Sequence, residues 1–226
     1  MGMIIWISVI FILYAASSWL YRRCGERALL HPMILPIVII SVFLIYFVMA
    51  ADPLLVGFEH DTRALSYLLG PAAMLLSVPL YENRAAIRAE PTAVLAGLVG
   101  GSLVSVVVAL SVIKFVGFSP EIYASFATRA ITTPFALVVS DSIGGLPSLA
   151  AAVVIFTGLL TAIFGPAFLR LLKVDDPVAG GLAMGVNGHG VATAETLKIS
   201  AVMAAASSFA MALNGFLTAI ILPLVF

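Results

Sequence analysis

The sequence predicts an all-α polytopic membrane protein. About seven transmembrane helices plus one re-entrant element are expected, with discontinuous helices in an inverted-repeat, transporter-like plan. Three observations lead there. Of the 226 residues, 62% are hydrophobic and only 10% are charged, against about 25% charged in soluble domains; the surplus apolar surface has to face lipid. Charge-poor runs close to the roughly 20 residues that a spanning helix needs recur along the whole chain. Several of these runs are interrupted by Gly, Pro or Asn beside an ionisable residue. Non-helical backbone at that depth is tolerated only where protein or a water-filled cavity surrounds it.

The same composition closes other doors. The net charge is zero, which gives no hint of nucleic-acid binding. Cys24 stands alone, so an intrachain disulfide is excluded. No long polar stretch separates the apolar runs, and residues 1–226 read as a single integral membrane domain in a multi-pass arrangement. There is no HExxH, GxSxG or GxxxxGK pattern. No enzyme, metal or cofactor is expected.

The segments follow in order. The first, Met3–Leu20, is apolar at once and basic afterwards, at Arg22, Arg23 and Arg27. A cleavable leader has the reverse polarity, so this is read as an uncleaved first span ending in the cytoplasm. Segment two is Pro32–Ala51, and a polar loop follows it. Segment three, Ala64–Tyr81, contains Gly70, Pro71 and Pro79. Arg84 and Arg88 lie in the next loop. Segment four is Thr92–Ile113, where Gly97, Gly100 and Gly101 suit close helix packing in lipid. Segment five, Glu121–Gly145, holds Arg129, Thr132-Thr133-Pro134 and Asp141. Segment six is Leu146–Leu169, trailed by Arg170 and Lys173. Segment seven is Pro177–Leu197, and segment eight is Ala201–Phe226.

Lys and Arg in short loops set orientation. The first two basic loops agree on the cytoplasmic side. Arg170 and Lys173 join them only if segment five enters and leaves on one side, which Pro134 and its internal charges favour. Seven crossings and one re-entrant element then place the N-terminus outside and the C-terminus inside. A faint internal repeat of 1–116 and 121–226 fits. Gly70 and Asn187, and Gly97 and Asn214, share an offset of 117 residues. Inverted repeats of this kind are a common transporter plan.

Three breaks precede short helical runs, at Gly70-Pro71, at Thr132-Thr133-Pro134 and at Asn187-Gly188-His189-Gly190. Thr132, Thr133 and Asn187 are candidate caps, and Pro suits a first helical turn. Helix N-termini converging inside a membrane form an anion site from free N–H groups and the positive dipole end. With Arg129, whose guanidinium forks onto a carboxylate, they could bind a small carboxylate without a metal. The alternative for Arg129 is snorkelling to the interface or pairing with Asp141. His189, with a reference pKa near 6.5, suits a hydrogen bond to substrate or a coupled proton, or else a plain interhelical bond. Asp141 and Glu195 are possible proton relays or structural groups. Asn214 could donate to substrate or pair helices.

At these motifs the chain resembles the LrgB/CidB family, which includes the YohK proteins and the C-terminal half of the plant plastid glycolate/glycerate translocator. The resemblance runs nearly end to end, through HPMILPIVI (31–39), LLGPAAMLLSVPLYEN (68–83), TRAITTPFAL (128–137), GPAFLRLLKVDDPVAGGLAMG (165–185), HGVATAE (189–195) and ALNGFLTAIILPL (212–224). Thr132, Thr133 and Pro134 match the family's TTP motif; His189 and Gly190 match its HG motif. Arg129 stands where a Lys is common, Gly188 where Ser or Ala is, and Ala192 where a Gly is. The resemblance implies a cell inner membrane protein carrying small carboxylates such as glycolate, glycerate or pyruvate. It also implies an alternative, antiholin-like control of murein hydrolase activity and autolysis. An LrgA/CidA-like membrane subunit and a homo-oligomer are the partners it suggests.

Overall fold

The computed structural model describes residues 2–25, 30–49, 67–68, 71 and 74–226. The described residues are mostly helical, and none of them forms a strand. They fall into two compact units, Met1–Met74 and Leu75–Phe226. Among the described residues, four helices are long and apolar enough to cross a membrane: Ile4–Arg23, Pro91–Val116, Pro147–Leu171 and Ala201–Val225. The chain is an all-α membrane protein, as its composition requires.

In the first unit, α1 (Gly2–Arg23) and α2 (Ile34–Met49) form an antiparallel pair. Trp6 near the start of α1 meets Phe43 near the end of α2, ring centroids 5.7 Å apart. Tyr21 near the end of α1 meets His31 just before α2 at 5.9 Å. Arg23 lies 5.0 Å from the Trp19 ring centroid, an interfacial arrangement suited to both side chains. The polar loop between segments two and three, and Gly70, lie outside the described residues; Pro71 is described and exposed.

The second unit opens with two short helices, α3 (Ser77–Glu82) and α4 (Arg84–Ala89). Next comes α5 (Pro91–Val116), with Pro91 at its first turn and Gly117 closing it at φ 82°. Only glycine takes that left-handed cap without a Cβ penalty. Its first half packs through Val94 and Leu98 on Leu182, Val186 and Ala205. Gly97 serves this contact, since an added Cβ would touch Leu182 at 3.4 Å, whereas a Cβ at Gly100 or Gly101 would meet nothing within 4 Å among the described residues.

Segment five is two half-helices, α6 (Pro120–Ala127) and α7 (Thr133–Ser142). At 1.5 Å per residue neither reaches across a hydrocarbon layer about 30 Å thick. The chain leaving α7 is tied back to α6. Ser125 Oγ accepts from the Leu146 N–H at 2.8 Å and donates to the Glu121 carbonyl at 2.7 Å. Gly145 permits this closure, because a Cβ there would sit 2.9 Å from Ser125 N. The expected re-entrant hairpin is therefore present, with residues 128–132 at its tip. Both its outer ends lie beside Val225 and Phe226 at one end of the bundle.

From that end α8 (Pro147–Leu171) runs to the opposite one. Lys173, at φ 55°, turns the chain while Val174 N–H caps the Leu169 carbonyl at 2.9 Å. The Asp176 side chain then accepts from Ala179 N–H and starts α9 (Pro177–Thr196), which is interrupted at His189. The closing helix α10 (Ala201–Val225) is capped by Ser200.

The sequence reading of α9 as a crossing is overturned. Its first arm rises parallel to α10: Gly180 against Met203, Gly185 against Ser207 and Ala210, and the Val186 carbonyl accepting from Asn214. After His189 the order reverses. Gly190 lies by Met211, and Thr193 hydrogen-bonds Ser207 at 2.8 Å. On α8 the first arm descends from Leu169 at Gly180 to Thr161 at Gly188 and Gly158 at His189. The α9 helix is thus a second re-entrant hairpin, entering from the end opposite the first. Consequently α10 finishes beside the outer end of the first hairpin, not at the basic end where the C-terminus was expected. Each hairpin is followed by a helix of 25 residues, so 120–171 and 177–225 form two successive units of opposite direction. The longer repeat expected over 1–116 falls partly outside the described residues.

Candidate functional site

The two hairpin tips meet in the middle of the bundle, near the midpoints of α5, α8 and α10. His189 makes the second tip. Its backbone stands at φ 39°, ψ −133°, a region that side chains other than glycine rarely occupy. Holding it costs about 1–3 kcal/mol. Tight surroundings enforce it. Gly181 and Gly185 let the first arm lie directly on the α10 backbone, where a Cβ would collide with the Met203 and Ser207 carbonyls. Gly158 leaves the space the imidazole fills; a Cβ there would be 2.9 Å from His189 Cε1.

The ring crosses to the first hairpin. His189 Nε2 lies 3.2 Å from the Arg129 carbonyl. A carbonyl only accepts, so Nε2 carries the proton and Nδ1 is left with its lone pair. Asn214, fully buried, joins the same two tips. Its Nδ2 donates to the Ala130 carbonyl at 2.6 Å and to the Val186 carbonyl at 3.4 Å. Its Oδ1 accepts from Ser102. Thr193 secures the return arm, donating to the His189 carbonyl at 2.6 Å.

Arg129 has no carboxylate partner among the described residues, and Asp141 is exposed. The pairing with Asp141 that the sequence allowed is absent. Its Nη2 donates to the Ser105 carbonyl at 2.7 Å and to the Ser105 hydroxyl at 2.6 Å. That hydroxyl donates onward to Asn187 Oδ1 at 2.9 Å. Arg129 Nε is buried and has no hydrogen-bond partner among the described residues. An orphaned donor on a charged group is costly, on the order of 1–3 kcal/mol or more, and marks where an acceptor is wanted.

Four sequence candidates therefore come together: Arg129, Asn187, His189 and Asn214. Gly188 is buried against Thr161 and Ala192, and Gly190 follows the break. The others divide. Thr132 occupies the N-cap of α7 with extended backbone but makes no side-chain cap bond. Pro134 is exposed, in a shallow cleft with Val138 and Pro223. Asn187 is not a cap of the run after it: its Nδ2 donates back to the Ala183 carbonyl at 3.0 Å, within the first arm. The break falls two residues later because that turn is still hydrogen-bonded. Glu195 is drawn to Lys198 at 2.7 Å, away from the tips. Of the expected helix starts, two face the tips, at Thr133 and just after His189; the one at Gly70 lies outside the described residues.

Sequence reasoning passed over Ser102, Ser105 and Gly158. The serines had a signal: they are three apart, hence on one helix face, in a helix otherwise apolar. Gly158 had none, since its importance is the ring it faces.

Comparison with known proteins places the chain. The sequence model of the LrgB-like family matches residues 10–226. The chain belongs to the LrgB-like family. Proteins named antiholin-like protein LrgB from Bacillus mycoides (strain KBAB4), Bacillus cereus (strain B4264) and Bacillus anthracis (strain CDC 684 / NRRL 3495) are each 30% identical over 218 residues, covering 96% of this chain and 93% of theirs. No solved structure matches it. Within this LrgB-like chain the TTP residues open the inner half-helix of the first hairpin, and the HG residues are the turn of the second.

Proposed function

We propose that this LrgB-like chain is a multi-pass inner-membrane carrier for small organic anions of the glycolate, glycerate and pyruvate kind. The observation that carries the reading is Arg129, a guanidinium in the middle of the bundle with no carboxylate partner among the described residues and a buried Nε that none of them accepts from. Ionisable groups at such depth are rare and mark substrate or ion paths. Two hairpin tips entering from opposite ends, with helix N-termini directed at the same place, suit a carrier that opens to each side in turn. His189, donating through Nε2, leaves Nδ1 free to take a coupled proton. Arg84, Arg88, Arg170, Lys173 and Lys198 share one end of the bundle, with Lys114 at the other. The positive-inside rule puts the first end in the cytoplasm, and the C-terminus outside.

The test is uptake of labelled glycolate, glycerate and pyruvate by proteoliposomes containing the purified chain. Saturable uptake is expected, with Arg129→Ala lowering its efficiency by about a hundredfold, the scale of losing one half of a buried charge pair. Unaltered uptake in that variant sinks the assignment of Arg129. A second reading, favoured by the names of the relatives, is a regulator of murein hydrolases acting alone or with an LrgA-like subunit. It predicts effects on autolysis without saturable carboxylate flux.

A further inference from the structure

We propose that the Ser105 hydroxyl competes with a substrate carboxylate for Arg129, and that its displacement links the first hairpin to the second. This rests on the carrier reading above. A guanidinium presents Nε–H and one Nη2–H along a single edge, the edge that takes a carboxylate side-on with two parallel bonds. On Arg129 one half of that edge is taken and the other is vacant. Nη2 is held by the Ser105 carbonyl and hydroxyl at 2.7 and 2.6 Å, while Nε is buried without a partner among the described residues.

A serine hydroxyl is a neutral, single acceptor. A carboxylate brings two charged oxygens at the spacing of the fork, and such charge-assisted bonds are roughly twice as strong as neutral ones. It completes the Nε half and competes with the Ser105 hydroxyl for one Nη2–H, while the Ser105 carbonyl keeps the other. The hydroxyl that yields is the one donating to Asn187 Oδ1 at 2.9 Å. Asn187 in turn holds the last turn of the first arm of α9 through Ala183, two residues before the strained turn at His189. Arrival of a carboxylate at the first tip is thereby felt at the second, through one side chain of α5. Ser105 is a positioning residue, acting through Arg129 and Asn187.

The experiment measures glycolate uptake in proteoliposomes for the wild-type chain, Ser105→Ala and Ser105→Thr. Removing the competing hydroxyl should lower KM about two- to tenfold, the worth of one net hydrogen bond, and Thr should restore the wild-type KM. An unchanged or raised KM in Ser105→Ala overturns the role of Ser105. Absence of saturable uptake by the wild-type chain overturns the carrier reading itself, and this role with it. A measurement without variants stands beside it: hydrogen exchange of the wild-type protein with and without glycolate. Faster exchange over residues 183–188 on adding glycolate is expected; unchanged or slower exchange there overturns the proposal.

Discussion

The two hairpins solve one problem by different means. The first turns through five residues, 128–132, with Thr128 and Ile131 hydrogen-bonding within the turn. The second turns at a single residue, His189, in a conformation suited to glycine. The first carries Arg129 on a loop without positive φ. The second places the His189 ring on a strained one, with glycines on either side. A loop can aim a long side chain such as arginine from several backbone positions. A short imidazole has less reach, so the backbone itself has to be bent to deliver it.

Three experiments press on that contrast, in decreasing order of effect. The largest concerns direction. If α9 turns back, cysteines introduced singly at Lys173 and at Lys198, in a Cys24→Ser background, lie on the same face of the membrane, opposite to one at Phe226. Labelling of intact cells with an impermeant thiol reagent should modify position 226 and spare both 173 and 198. Labelling of only one of 173 and 198 would restore the crossing and dissolve the second hairpin. Next is Gly185→Val, which drives a side chain into the Ser207 carbonyl on α10. Overpacking of this kind costs about 1–3 kcal/mol, read as a lowered Tm in detergent, and a matching change at Gly101, where a Cβ would meet nothing within 4 Å among the described residues, should leave Tm nearly unmoved. The smallest effect separates ring from backbone at the second tip. His189→Gly relieves the positive φ, whereas His189→Ala keeps it without the ring. Gly should be the more stable of the two by about 1 kcal/mol, with uptake reduced in both. Equal Tm values would mean that the turn is not strained.

Much of this molecule could be read before any coordinates. Hydropathy located the long helices to within a few residues, and Pro134 and Pro177 marked the first turns of α7 and α9. The first hairpin was legible because two signals agreed: Pro134 with flanking charges, and basic loops that demanded an even number of passes. The second hairpin was not. Residues 177–197 have the length of a span, good caps and glycines that read equally as packing. Arg129, His189, Asn187 and Asn214 were singled out as polar residues in apolar surroundings, yet nothing in their spacing said that Ser105 would stand between two of them. Asp141 and Glu195, read from the sequence as possible proton relays or structural groups, lie at element ends away from the tips, Asp141 exposed and Glu195 beside Lys198.

What the sequence determined by itself was the solvent of the protein, the places where helices cannot run on, and the sign of charge available at one of them. Those follow from transfer energies and backbone chemistry, which are properties of single residues and short windows. Which way the chain leaves a break is a different kind of fact. Hydropathy has no direction, so an apolar run reads the same whether it goes on across the bilayer or folds back. Only the seating of Thr193 on Ser207, after Gly185 had already passed that level, settled the course of α9. The same packing decided that an arginine, a histidine and two asparagines far apart in sequence share one polar centre.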